Sequence, residues 1–374
     1  MSFQRCRPQQ RRLARSTWIL LVLAGSISLG CLLGYQLGPR SSEWKLHGAM
    51  CQAAQDTAET FDRIRHLRDA YGVPVDPIDD PNGTGLIGLP SSEITTTLGH
   101  LEAKRTTTNP DVAALIVLLL TEAGVRQGDS VAIGASASFP ALVIACLHAV
   151  EAIGAVPRLI VSLTASTYGA NDPAFTILDM LSQVPGGADR PPRLVGAAIG
   201  GEGDVGRYIS EEARSGLQEE IVSREIPQLV PADLADAVGQ RMTLYEDATD
   251  RGIACFINIG GAWANLGTDM AVLRLSPGVL LGADEPPLPD RRGVLLEFLS
   301  RGIPAIHLLN IQELALRYGL PWDPIPLPTI GKSDVYVIKH VRDVRLIAAA
   351  SVWLVAMLLL VGIGVYGRHR AKRT

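Results

Sequence analysis

The chain has 374 residues, of which 47% are apolar and 19% charged, a balance that excludes a disordered or collagen-like polypeptide. Lys and Arg total 34 against 38 Asp and Glu, so the net charge of −4 offers no general polyanion-binding surface, and nucleic acid is not an expected partner. The five cysteines, at positions 6, 31, 51, 146 and 255, are too scattered for a disulfide scaffold and include no C-x-x-C pair.

Residues 18–37 are twenty positions without a charge, and Leu346 to Tyr366 are twenty-one more. At roughly 1.5 Å per residue, each is long enough as a helix to cross a hydrocarbon layer of about 30 Å. Trp18, Tyr35 and Tyr366 stand near the ends, where interfacial anchors belong. The sequence therefore predicts two transmembrane helices, at 18–37 and 345–367. Nine basic residues lie in the outer tails, five before the first span and four after the second, against five on the opposing flanks. By the positive-inside rule the tails 1–17 and 368–374 are cytoplasmic, placing the protein in the cell membrane with residues 38–344 extracytoplasmic. That middle segment holds 24 basic and 38 acidic residues, a net charge of −14. A cleaved signal peptide is the competing reading of the N-terminus, but the apolar run continues past Cys31 to Leu37.

Between the spans, apolar strand-like runs alternate with helical ones, which predicts an α/β domain around a mostly parallel, Rossmann-like sheet. Glu43 to Tyr71 has helical periodicity. A Pro-, Asp- and Gly-rich link follows over Val73 to Gly83. Asn109-Pro110 then opens a nearly all-apolar helix running to Gly124. Strands are expected at 130–134, 158–163, 194–199, 253–259 and 304–309, with a helix at 139–153 between the first two and another at 207–217. Proline density makes 284–289 and 320–331 extended.

In such sheets ligands sit beyond the carboxyl ends of the strands. The loop after the first strand carries Ser136 and Ser138, and the loop after the second carries Ser166, Thr167, Tyr168, Asn171 and Asp172. Together these groups can hydrogen-bond a carboxylate or an amide; the same residues serve equally as helix caps, with Asn171 and Asp172 opening a helix at 174–181. Gly134-Ala135-Ser136-Ala137-Ser138 resembles a nucleophile elbow that lacks its last Gly, and Ser136, Asp269 and His307 occur in the Ser, acid, His order of α/β hydrolases. His307 between Ile306 and Leu308 also reads as a buried structural imidazole.

Gly201-Glu202-Gly203-Asp204-Val205-Gly206 fits the dinucleotide-loop spacing. The expected compartment and the acidity of Glu202 and Asp204 argue against a pyrophosphate there. No organic cofactor is therefore expected; the one candidate is a divalent cation on Glu202 and Asp204, with Asp204 otherwise capping the next helix. Gly201, Gly203 and Arg207 remain candidates for ligand contact. A second Gly-rich turn after the 253–259 strand presents Asn258 and Asn265, whose amides both donate and accept and so suit a peptide-like chain. No two histidines stand at the i, i+4 spacing of a helical zinc site.

Several segments taken together carry a family resemblance: Ser138-Phe139-Pro140-Ala141, Ser166 to Pro173 with Phe175, Gly200 to Tyr208, Asn258-Ile259-Gly260-Gly261 with Asn265-Leu266-Gly267, and His307 to Asn310 leading to Tyr318-Gly319-Leu320-Pro321. In these the chain resembles the poly-γ-glutamate system protein family, membrane accessory proteins associated with poly-γ-glutamate synthesis and export. The resemblance covers nearly the whole chain. It implies an accessory role in synthesis, export or processing, with the synthase and export membrane proteins and the anionic peptide-like polymer as partners. It brings no catalytic residue list. The alternative expectation is a γ-glutamyl hydrolase or transferase using Ser136 or Ser138 as nucleophile.

Overall fold

The computed structural model describes residues 25–28, 46–186, 193–282, 288–337, 348, 350–359 and 362. The chain divides into two compact units, Lys45–Tyr336 and a smaller one composed of Met1–Trp44 with Val337–Thr374.

The larger unit is an α/β fold. In chain order its strands are β1 (Thr95–Thr97), β2 (Ser130–Ser136), β3 (Val156–Ser162), β4 (Ala165–Ser166), β5 (Asn171–Asp172), β6 (Phe175–Thr176), β7 (Leu194–Ala198), β8 (Gln228–Leu229), β9 (Ile253–Ile259), β10 (Gly278–Leu280) and β11 (Ala305–Leu308). Seven of them form one sheet in the order β10-β11-β9-β2-β3-β7-β8, and only β10 runs antiparallel to its neighbour. The mostly parallel sheet is the expected one, with six parallel strands in place of five. The extra strand β8 and the antiparallel edge strand β10 span two and three residues, too few for a period-two pattern to register.

Every residue of β2 is buried, because helices cover both faces of the sheet. On one side His47–Ala70, Asp111–Glu122 and Pro140–Ala152 pack against one another. In the last two of these, ten and eleven residues in succession are buried, which is why they read as uniformly apolar rather than amphipathic. On the other side Tyr245, Phe256 and Phe298 form an aromatic cluster, with Phe256 stacked on Phe298 at 5.1 Å between ring centres. The Tyr245 hydroxyl donates to the Ile133 carbonyl at 2.8 Å, tying this cluster to the central strand.

Helix starts follow local capping chemistry. The Asn109 side chain accepts the Asp111 N–H at 3.1 Å at the head of the apolar helix, as the Asn-Pro pair implies. Two expected starts move. The helix expected at 174 begins at Ile177, where Thr176 and Asp179 form a capping box. The helix expected at 207 begins at Glu211, capped by Ser210. Thr176 and Ser210 are better-placed acceptors for the free N–H groups than the residues upstream of them.

In the smaller unit, residues 25–28 and 350–359 are helical. Among the described residues no helix is long and apolar enough to cross a membrane. Of the span expected at 18–37 only residues 25–28 are described, and of that expected at 345–367 residues 348, 350–359 and 362; both tails lie outside the described residues. Within this unit the Trp353 indole N–H donates to the Ser28 hydroxyl at 2.7 Å, so the two apolar segments touch.

Candidate functional site

The order of the large sheet fixes where a crevice must open. From β2 the chain steps outward through β3 and β7 to β8, then crosses back to continue with β9 and β11 on the other side of β2. Connections leave in opposite directions at the β2/β9 boundary, so the loops beyond those strand ends diverge and leave a gap. A cleft of about 810 Å³ lies there, walled by the loops that follow β2, β3, β7, β9 and β11. Thr96 to Lys104 form a further wall, and Trp263 and Trp322 contribute large aromatic surfaces.

Ser136 ends β2 on the cleft. Among the described residues its buried hydroxyl has no hydrogen-bond partner, and the same holds for the hydroxyl of Thr164, also in the lining. An unmatched buried hydroxyl costs about 1–3 kcal/mol, so each of the two gains from a hydrogen bond to solvent or to a ligand in the cleft. Gly260, beyond β9, has φ +76°, and a Cβ there would lie 2.9 Å from the Ser136 oxygen. Only glycine allows the two strand ends to approach this closely.

The side chain that organises the wall is Lys104. It projects from the helix Leu101–Thr107, is buried, and donates from Nζ to the Ser166 hydroxyl at 2.7 Å and to the Ser138 carbonyl. The Ser138 hydroxyl in turn accepts the Ser166 backbone N–H at 2.9 Å. The Phe139 ring lies across the amine, 3.7 Å from Nζ to the ring centre. Among the described residues no carboxylate pairs with Lys104, and burial lowers its pKa from 10.5 to about 7. The ring face favours the charged form by roughly 0.5–2 kcal/mol, a smaller effect opposed to the desolvation. Gly99 closes the group from outside; a Cβ there would meet the Ser166 oxygen at 2.8 Å and Lys104 Cε at 3.2 Å.

The glycine loop after β7 forms another wall, and its carboxylates are already engaged. Asp204, at φ +63°, turns inward to a buried ion pair with Arg241 at 2.6 Å, and Ser162 donates to it at 3.4 Å. Burial nevertheless raises the Asp204 pKa, with Arg241 opposing. Glu202 pairs with Arg207 at 3.0 Å on the surface. Asp204 is therefore an ion-pair partner and not the expected helix cap, a role taken by Ser210. The helix starts beyond the loop, so its free N–H groups do not converge on the glycines as a pyrophosphate cradle requires. Among the described residues no cluster of three His, Cys, Asp or Glu is placed to hold a metal ion.

Of the remaining candidates, Ser138, Ser166, Gly201 and Arg207 line the cleft with Ser136, whereas Gly203 does not. Thr167 and Asn171 hold the chain together instead. Thr167 exchanges hydrogen bonds with both backbone groups of Gly99, and Asn171 clamps both backbone groups of Leu89 and the Thr95 hydroxyl. Tyr168 takes up the left-handed conformation, with its N–H on the Leu89 carbonyl. Asp172 accepts the Ala174 N–H at 3.0 Å. Asn265 packs against Gly134, and Asn258 donates to the Gly260 carbonyl at 2.9 Å.

Asn258 also bonds His307 Nδ1 at 3.1 Å. His307 on β11 and Gly134 on β2 flank Asn258 on β9, so the His307 backbone lies two strand spacings, roughly 10 Å, from the strand that ends in Ser136, and its ring is engaged by the intervening Asn258. Burial lowers its pKa to about 4, and among the described residues no carboxylate acts on the ring. Asp269 stands outside the cleft lining. The structure thus does not assemble Ser136, Asp269 and His307 as a triad.

No sequence signal singles out Lys104, whereas Thr164 belongs to the hydroxyl-bearing loop expected after the second strand. Lys104 sits in Glu102-Ala103-Lys104-Arg105, a run indistinguishable from a solvated helix face, and its partners lie 34 and 62 residues away. No family model matches the chain, and no curated protein and no solved structure matches it either.

Proposed function

We propose that the protein is a membrane-anchored accessory component of poly-γ-glutamate synthesis, export or processing, and that its cleft binds a stretch of this anionic, peptide-like polymer. One observation carries the reading. Segments that underlie the family resemblance are far apart in sequence, yet Ser138-Phe139, Ser166, Gly200 to Glu202, Arg207-Tyr208, Gly261 and Asn310 meet around one cleft at the switch point of the sheet.

The lining suits such a ligand. A γ-glutamyl unit offers one amide and one carboxylate, and the cleft offers the Ser136 and Thr164 hydroxyls with Lys104 at its wall, while Arg207 in the lining is shared with Glu202. The region from 38 to 344 carries a net charge of −14. Screening over roughly 8 Å at physiological salt limits that repulsion, and the Glu202 and Asp204 carboxylates in the lining are already matched by arginines. Favourable contact with the polymer is therefore local.

Anchoring is supported by the two long uncharged stretches and by the helix at 350–359, on which Val352, Leu354, Val355, Leu358 and Leu359 are all more than half exposed. An apolar surface of this kind seeks a non-aqueous neighbour, and a lipid bilayer provides one. With the basic tails cytoplasmic, the α/β unit lies outside the cytoplasm.

The reading is tested in a strain that makes the polymer and lacks its own copy of this gene. Restoring the wild-type chain restores polymer output, and a chain carrying Ser136→Phe, which fills the cleft from its floor, restores less although it accumulates to the same level. Equal output from both chains would refute the cleft as the working site.

A further inference from the structure

The Lys104 cluster has a composition that binding alone does not require. A lysine that only attracts an anionic chain is most effective exposed and fully charged. Lys104 is instead buried, has no carboxylate partner among the described residues, and is aimed at one hydroxyl and one carbonyl. Nζ donates to the Ser138 carbonyl and, at 2.7 Å, to the Ser166 hydroxyl; once the amine has lost its extra proton, the same contact puts its lone pair within reach of the Ser166 proton while an N–H still serves the Ser138 carbonyl. Phe139 covers the amine, and Gly99 permits the close contact of the loop with both side chains.

We propose that Ser166 and Lys104 are a nucleophile and its general base, and that the cleft performs acyl transfer at an amide carbonyl of a carboxylate-bearing, peptide-like chain. The substrate class rests on the binding reading above; the pair itself does not.

The step balances without a metal or a redox partner. Ser166 Oγ attacks the carbonyl carbon while its proton passes to Lys104 Nζ; a C–O bond forms and the carbonyl electron pair moves to oxygen. Collapse of this intermediate breaks the C–N bond, and the ammonium of Lys104 gives its proton to the departing amine. Water then attacks the acyl ester, losing a proton to Lys104. The Ser166 oxygen recovers that proton as it leaves, and the chain end departs as a carboxylic acid, which releases its remaining proton to solvent and becomes a carboxylate. An amine in place of water makes the same reaction a transfer rather than a hydrolysis. The near-neutral pKa of Lys104 supports both halves, since the group must accept a proton and then return it. Ser138 holds the Ser166 backbone N–H and is a positioning residue.

The full-length chain in detergent is treated with a fluorophosphonate, and the modified peptide is mapped by mass spectrometry. The expected result is label on Ser166, at a rate that rises through a midpoint near pH 7. Ser166→Ala abolishes the label, and Lys104→Met slows it at least ~100-fold, with no rescue by Lys104→Arg, which cannot give up its proton. Absence of label, label on Ser136 or Ser138, or a rate indifferent to Lys104→Met overturns the proposal. If Lys104→Met does not fold, the mapped site and the wild-type pH profile still decide. Binding of a γ-glutamyl oligomer is measured on the same samples. Oligomer bound without Ser166 labelling refutes the pair and leaves the binding reading standing; label on Ser166 without oligomer binding keeps the pair and refutes this substrate class.

Discussion

Lys104 Nζ and Ser166 Oγ lie 2.7 Å apart although 62 residues separate them in the chain, and the contact joins the wall before the sheet to the loop after β3. Lys104 is thereby held in a position where its charge is disfavoured. With a folded pKa of about 7 against an ordinary 10.5, the unfolded chain holds a proton between those values that the folded chain has lost. Stability supplied by this group therefore rises with pH across that window. Urea unfolding of the wild type and of Lys104→Met at pH 7 and pH 9.5 measures the effect: the stability of the wild type relative to the variant increases toward the higher pH. A flat or falling difference would show that the amine stays charged in the fold.

The same reasoning gives the opposite end of the pH scale to His148. It is buried in the helix Pro140–Ala152 and shares a hydrogen bond of 2.8 Å with Thr60, and burial lowers its pKa to about 4. Between pH 6.5 and 4 the unfolded state takes up a proton that the folded state does not, so stability from this group is lost as the pH falls. In thermal melts the advantage of the wild type over His148→Gln shrinks from pH 6.5 to pH 4.5; a growing advantage would mean that the ring is charged in the fold.

Asp204 and Arg241 form an ion pair with both side chains almost wholly buried. Removing one partner strands the other, which typically costs about 3–5 kcal/mol. Arg241→Met is expected to destabilise the fold by that amount in urea unfolding, and the double change Asp204→Asn with Arg241→Met to recover much of it. A single variant as stable as the wild type would show that water reaches the pair.

Gly260 tests the geometry of the cleft floor. At φ +76°, a side chain there costs roughly 1–2 kcal/mol in backbone strain, and its Cβ would sit 2.9 Å from the Ser136 oxygen. Gly260→Ala should lower the melting temperature and weaken oligomer binding together, whereas Gly216→Ala, in the helix Glu211–Ser223 where nothing crowds a new Cβ, should do neither. Oligomer binding unaffected by Gly260→Ala would separate Ser136 from the ligand.

The strands β2, β3 and β9 were legible because burial on both faces makes them continuous apolar runs ended by small and polar residues. The strand-end rule also located the cleft, and Ser136, Ser138 and Ser166 all reached it. What was hidden depends on contacts distant in sequence. Lys104 in its local context is a surface lysine, and only the fold buries it. Asn171 and Thr167 carry the same hydroxyl and amide chemistry as the cleft residues, yet they clamp the segments at Leu89 and Gly99, which no local pattern distinguishes from ligand contact. The glycine spacing at 201–206 matched a phosphate loop, and the Asp204 partner that changes its meaning is supplied by Arg241, from a helix further along the chain.

Trp263 and Trp322 face the cleft and give it an intrinsic signal. Titration of the full-length protein with a γ-glutamyl oligomer, followed by tryptophan fluorescence, tests the central claim most directly. Occupation of the cleft predicts a saturable change that weakens as salt rises and is lost in Ser136→Phe. No change up to millimolar oligomer, or an identical change in that variant, would contradict it.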